Sequence, residues 1–147
     1  FKLLKIIRKS DKLLNVAISP TGEEKKLILR KFGPLSFIDG FNGDDFLFST
    51  RKKSNEQQKV KAINLSNLLL KDKFDYLSLD VEGAEIMILE TLNWSNIFKP
   101  TIITVEYNWR KHDKDKIKKL LIKQGYTICF ENYDWITRGD LWFVLEN

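Results

Sequence analysis

Apolar positions recur along the chain in two rhythms, one helical and one alternating, and these outline the elements. In residues 1–12, Phe1, Leu4 and Ile7 form one stripe with Leu3 and Ile6 beside it, while lysines and Arg8 fill the other side. That spacing predicts an amphipathic helix, entered partway along. Leu13–Ile18 (LLNVAI) is a short apolar run closed by the turn cluster Ser19-Pro20-Thr21-Gly22, and it predicts a buried strand. Lys25–Lys31 is a second strand candidate. Residues 32–43 read as a loop through Gly33, Pro34, Gly40 and Gly43, and 51–58 as a polar loop or hairpin tip. Val60–Leu65 alternates as a strand, after which Ser66 offers an N-cap for a brief helix over Asn67–Leu70.

From Phe74 onward the order is strand, helix, strand, helix, strand, strand. The segments are Phe74–Val81 (FDYLSLDV), Ala84–Leu92, Thr101–Tyr107 (TIITVEY), Asp113–Lys123, Tyr126–Phe130 and Leu141–Leu145. Asp113 and Asp115 sit near the positive end of their helix and lysines follow, as the macrodipole prefers. Gly125 then stops it. Strand–helix–strand units imply parallel pairing with a right-handed crossover. The last two strands have no helix between them and are expected to pair antiparallel. The prediction is α/β: one domain over residues 1–147, built on an open, mostly parallel sheet with an antiparallel C-terminal strand.

Composition narrows the function classes. A chain of 147 residues, 43% hydrophobic and 31% charged, suits one globular domain and is too apolar for disorder along its whole length. No run approaches the ~18 apolar residues of a membrane helix. The single cysteine, Cys129, excludes an internal disulfide and a cysteine-only zinc site, and the single histidine, His112, excludes any two-histidine site. Cys129 alternates within a strand and is expected to be buried and inert; His112 is expected to be a solvated residue. Net charge is +5, with the basic excess in residues 1–31. Such an excess draws polyanions, whether nucleic acid, anionic lipid or charged glycan. Solvated helix faces explain it more simply, because apolar residues interrupt the basic runs and no nucleic-acid signature is present.

The candidate chemistry lies where strands run out, since open parallel sheets bind ligands beyond their carboxyl ends. One strand leads into Asp80-Val81-Glu82-Gly83-Ala84-Glu85 and another ends in Glu106-Tyr107-Asn108. If the two strands are adjacent, Asp80, Glu82 and Glu106 share a rim. Acids gathered there could orient a hydroxyl, accept its proton or hold an ammonium group, and their mutual repulsion would raise at least one pKa. A second reading stands beside this one: Glu82 and Glu85 are anions at a helix N-terminus, and Asp80 could cap that helix. The same three acids could hold a hard cation, but capping accounts for two of them and no metal is expected. Trp142 is expected in the core. Trp109 and Trp135 fall in loops near the rim, where they could stack on an acceptor.

FDYLSLDVEGAEIMILETL resembles the hallmark segment of the FkbM family of S-adenosylmethionine-dependent methyltransferases, a strand ending in Asp-Val-Glu-Gly-x-Glu and then a helix. VKAINLSNLL resembles the strand and short helix before it, KPTIITVEYN the strand after it, and NVAISPTGEEKKLIL the segment after the family's third strand, so the likeness runs over residues 13–145. It implies a class I methyltransferase fold and O-methylation, often of sugar hydroxyls in glycans and natural products, with S-adenosylmethionine as donor. Carried over, Asp80 and Glu82 lie at the cofactor–acceptor junction, Asp80 touching the cofactor. Glu106 and Asn108 line the acceptor side, and Ala17 and Ser19 lie near the adenine. The family also uses a glycine-rich turn after its first strand, and none of the seven glycines here forms Gly-x-Gly. The chain is therefore expected to be the C-terminal part of such a domain, lacking its first two strands. An exposed edge along Tyr76–Val81 should follow, with poor stability and poor cofactor binding in isolation, the full-length protein being the enzyme. The expected partner is a small-molecule or glycan acceptor, with no specific nucleic acid and no membrane span, in the cytoplasm. The rivals are a non-catalytic α/β module binding a polyanion through Lys2, Lys5, Arg8, Lys9 and Lys12, and an inactive remnant of the family.

Overall fold

The computed structural model describes residues 1–31, 33, 36–40, 56–70, 73–97, 99–108, 111–131 and 138–146. In chain order the elements are α1 (Lys2–Ile7), β1 (Ala17–Ile18), β2 (Lys26–Arg30), β3 (Phe37–Ile38), β4 (Gln57–Ile63), α2 (Leu65–Leu69), β5 (Tyr76–Leu79), α3 (Glu85–Thr91), β6 (Ile102–Asn108), α4 (Lys111–Lys123), β7 (Tyr126–Glu131) and β8 (Arg138–Leu145). The fold is α/β with mixed sheets. The single expected sheet is two: β1-β4-β2-β3 and β5-β6-β8-β7. The physical reason is local, because no strand among the described residues bridges β1 to β5.

The second sheet carries the core. β5 and β6 are parallel, and β8 runs antiparallel between β6 and β7, as expected of the last two strands. Register aligns Ile103 with Phe143 and Val105 with Leu141. Those side chains share one face and pack with Leu79, Ile88, Leu89, Ile117 and Leu121 into a single buried cluster. The faces of α3 and α4 that carry these residues cover that side of the sheet. Tyr126 closes the base of the core, donating its hydroxyl to the Pro100 carbonyl at 2.8 Å and meeting Trp94 edge-on. β5 is an edge strand, consistent with the expected open flank.

Several expectations are corrected. The run Leu13–Ile18 is not a buried strand: only Ala17–Ile18 pair, with Ala62–Ile63 of β4, and both are half-buried. One short parallel neighbour leaves the rest of the run without backbone partners in a sheet. α1 forms but buries no residue. The segment read as loop contains β3, held against β2 through Leu29↔Ile38. β4 starts at Gln57, inside the segment read as polar loop, because backbone pairing with β2 does not require apolar side chains. Asn64, not Ser66, caps α2, its side chain accepting from the Ser66 amide at 2.8 Å. Ser66 Oγ instead accepts from the Asn93 amide. Cys129 is exposed, at a register irregularity between Ile128 and Phe130 that breaks the strand's alternation. Trp142 is 37% exposed on the sheet face away from the helices, stacked on Tyr76 at 6.4 Å. Trp109 and Trp135 lie outside the described residues. Among the described residues no helix is long and apolar enough to cross a membrane.

Candidate functional site

Register builds the site. Leu79 of β5 lies beside Val105 of β6, so the next residues along, Asp80 just past the end of β5 and Glu106 still within β6, come to the same level. Carboxylate oxygens of Asp80, Glu82 and Glu106 lie within 4.8 Å of one another. The three acids proposed from spacing therefore do meet, on one rim.

The turn that delivers them is unusual backbone. Glu82 has φ 57° and Gly83 φ 104°, both in the left-handed half of the map. Glycine adopts this freely, but glutamate does so at a cost of order 1 kcal/mol. Glu85 holds the turn in place. Its carboxylate accepts from the Val81 amide at 2.9 Å and from the Gly83 amide at 3.1 Å, and the residue is only 5% exposed. Burial raises its pKa, while the amide bonds pull the other way. Sequence reasoning treated Glu85 only as an anion at a helix N-terminus; it is the clasp of the loop. Glu85→Ala strands two amides in a half-buried turn and is expected to cost about 2–4 kcal/mol, read from the midpoint of urea unfolding.

Glu106 is the electrostatic centre. Its burial, the neighbouring Asp80 charge and a hydrogen bond to Asp80 push its pKa to about 8, with Glu82 and Glu85 adding smaller contributions. Burial and the neighbouring acids thus favour the protonated form of Glu106 beside Asp80. Its Oε2 is buried without a hydrogen-bond partner. Such an atom costs free energy unless something completes it. The spacing would admit a hard oxygen-seeking cation, and a proton on Glu106 would relieve part of the same repulsion.

Beside the acids lies a cavity of about 500 Å³, a volume typical of small-molecule sites. Val16, Ala17, Ile18, Leu29, Ile38 and Val60 supply apolar lining, and Lys59 and Lys61 line it along with Asp80 and Glu82. Residues 3–128 match the family described as Methyltransferase FkbM domain. The chain belongs to that family. No curated protein and no solved structure matches it.

Within this FkbM methyltransferase domain the remaining candidates separate. Ala17 lines the cavity. Ser19 does not: it is 1% exposed, its amide donates to the Ile63 carbonyl, and its hydroxyl sits 3.4 Å from that of Thr21, a turn-forming position. Asn108 is the last residue of β6, two positions beyond Glu106, and Trp109 lies outside the described residues. Asp140, opposite Glu106 on β8, belongs to the same rim and was not singled out from sequence. Its signal was the alternation Asp140, Trp142, Val144 on one face, legible once β8 is known to start at Arg138 rather than Leu141.

Proposed function

We propose that this FkbM domain catalyses S-adenosylmethionine-dependent O-methylation of a sugar hydroxyl, and that β5-β6-β8-β7 with α3 and α4 forms one half of a class I methyltransferase sheet. The observation that carries the reading is the meeting of the Asp80, Glu82 and Glu106 carboxylates within 4.8 Å of one another, beside a cavity that Asp80 and Glu82 help to line. The residues suit the cofactor. Apolar walls at Val16, Ala17 and Ile18 fit a nucleoside face, and the Asp80 and Glu82 carboxylates fit a sulfonium and an ammonium. When bound, S-adenosylmethionine supplies a methyl group activated by its positive sulfur.

The chain's own residues do the rest. Asp80 accepts a hydrogen bond from the acceptor hydroxyl and takes its proton as the oxygen becomes nucleophilic. Glu106, protonated, donates to Asp80 and keeps that carboxylate aimed. Glu82, held at positive φ by the Glu85 clasp, presents negative charge to the cavity. Positioning of the hydroxyl supplies most of the rate. The absence of any Gly-x-Gly turn fits a cofactor site only part of which lies in these residues.

Titration calorimetry with S-adenosylmethionine tests this. The protein carried upstream of Phe1 by its encoded residues is expected to bind, and the 147-residue chain to bind at least tenfold more weakly. Glu82→Ala is expected to weaken binding in the longer protein. No heat from either length, in protein shown to be folded, would defeat the cofactor reading.

A further inference from the structure

The smaller sheet carries lysines without counter-charges. Lys26 of β2 stands directly opposite Lys61 of β4, and Ile28 opposite Lys59, so Lys26, Lys59 and Lys61 project from one face. All three are exposed, while Leu27 and Ala62 on the other face are buried. Neighbouring cations are matched: Lys25 meets Glu23, Arg30 meets Asp39 and Lys31 meets Glu56. Among the described residues no ion pair or side-chain hydrogen bond engages Lys26, Lys59 or Lys61. Like charges directly across an antiparallel pair repel, so the arrangement costs stability until an anion joins it. β4 and β2 each have a strand on both sides, so the register that gathers the three lysines does not depend on residues before Phe1.

Two of these lysines belong to the candidate site. β1 pairs with β4 only at Ala62 and Ile63, which leaves residues 58–61 without a strand neighbour on that side. The cavity runs along this edge: Gln58 and Val60 from one face and Lys59 and Lys61 from the other all line it. Asp80 and Glu82 line it too, yet among the described residues no ion pair joins these acids to the lysines. One cavity thus keeps opposite charges apart. A ligand complementary to it brings an anion to the lysines and a hydroxyl or a cation to the acids.

Phosphate suits the lysines. Directly opposed Cβ atoms lie about 5 Å apart and next-but-one residues on a strand about 7 Å, so three four-carbon stems can converge on one tetrahedral anion. Phosphate offers three acceptor oxygens to three ammonium groups, and lysine binds it as a point charge. We propose that the acceptor is a phosphorylated sugar, its phosphate held by Lys59 and Lys61 with Lys26 adding charge, and its hydroxyl at Asp80. Calling the ligand an acceptor rests on the methyl-transfer reading; the anion site rests on the lysines.

Amide chemical-shift titration of the longer protein used for calorimetry tests this, with glucose 6-phosphate and glucose as probes. Glucose 6-phosphate is expected to shift the amides of residues 59–61 and 80–83 at millimolar concentration, and glucose is expected to shift neither. Lys59→Gln with Lys61→Gln is expected to weaken glucose 6-phosphate about tenfold, as loss of charge-assisted contacts does, and to leave the affinity for S-adenosylmethionine unchanged. Lys119→Gln with Lys123→Gln removes equal charge from exposed positions of α4 and is expected to change neither. Circular dichroism checks that each variant is folded. Glucose 6-phosphate that leaves either stretch unshifted overturns the proposal, as does glucose that shifts both equally. Equal weakening by the α4 variant would mean diffuse attraction and overturn it. A matching loss of S-adenosylmethionine affinity would assign the lysines to the cofactor's carboxylate and overturn it as well. None of these outcomes defeats the cofactor reading; absent cofactor heat with the phosphate shifts intact would defeat that reading and leave the anion site standing.

Discussion

Asp80→Asn in the methyl-transferring protein is expected to lower kcat by about 100- to 10,000-fold, the range that loss of a general base commands. Asparagine keeps the size and can still meet Glu106, so the turn and the strand pairing survive. What is lost is the group proposed to accept the hydroxyl proton. The substitution also removes the largest charge acting on Glu106, whose burial-driven shift to about 8 then relaxes toward the ordinary carboxylate range. The pH dependence of the residual activity should therefore move to lower pH. A merely capping Asp80 would give a different pattern: lower stability, an unmoved pH profile and nearly full turnover per folded molecule. Unchanged kcat would remove Asp80 from the chemistry.

The rim was legible in the chain because strand-end acids need only pairing and register to be brought together. Both are local consequences of β-branched and apolar runs, FDYLSLDV and TIITVEY, flanking helices of clear period. What governs the acids was not legible. Glu85 differs from Glu82 only in pointing inward, and nothing in the spacing distinguishes a clasp from a helix-end anion. The pKa of Glu106 depends on burial, which sequence gives only as an average tendency. The first half of the fold was read least well. Leu13–Ile18 has the composition of a core strand, but a strand is buried by its neighbours, and here β1 has β4 alone. Trp142 shows the same limit. Alternation assigned it a face, but which face the helices cover is settled by α3 and α4, and they cover the side of Phe143.

Glu106→Gln is expected to stabilise the protein at pH 8 while impairing methyl transfer. The folded site disfavours the ionised carboxyl, which in the unfolded chain titrates near 4.5 and in the folded chain near 8. Below about pH 4.5 both states hold the proton and the group makes no difference. Between those values the unfolded chain releases a proton that the folded chain retains, so stability falls as pH rises, and the loss is complete above about 8. Glutamine mimics the protonated acid and removes that slope. Since Glu106 is only partly buried, water screens much of the effect, and the gain at pH 8 should be about 1–3 kcal/mol, or several degrees in Tm. At pH 4 variant and parent should melt together. An equal gain at both pH values would point to packing rather than to the proton. No gain at pH 8 would mean that Glu106 ionises there without penalty, and that Asp80 reaches the acceptor hydroxyl with no proton beside it.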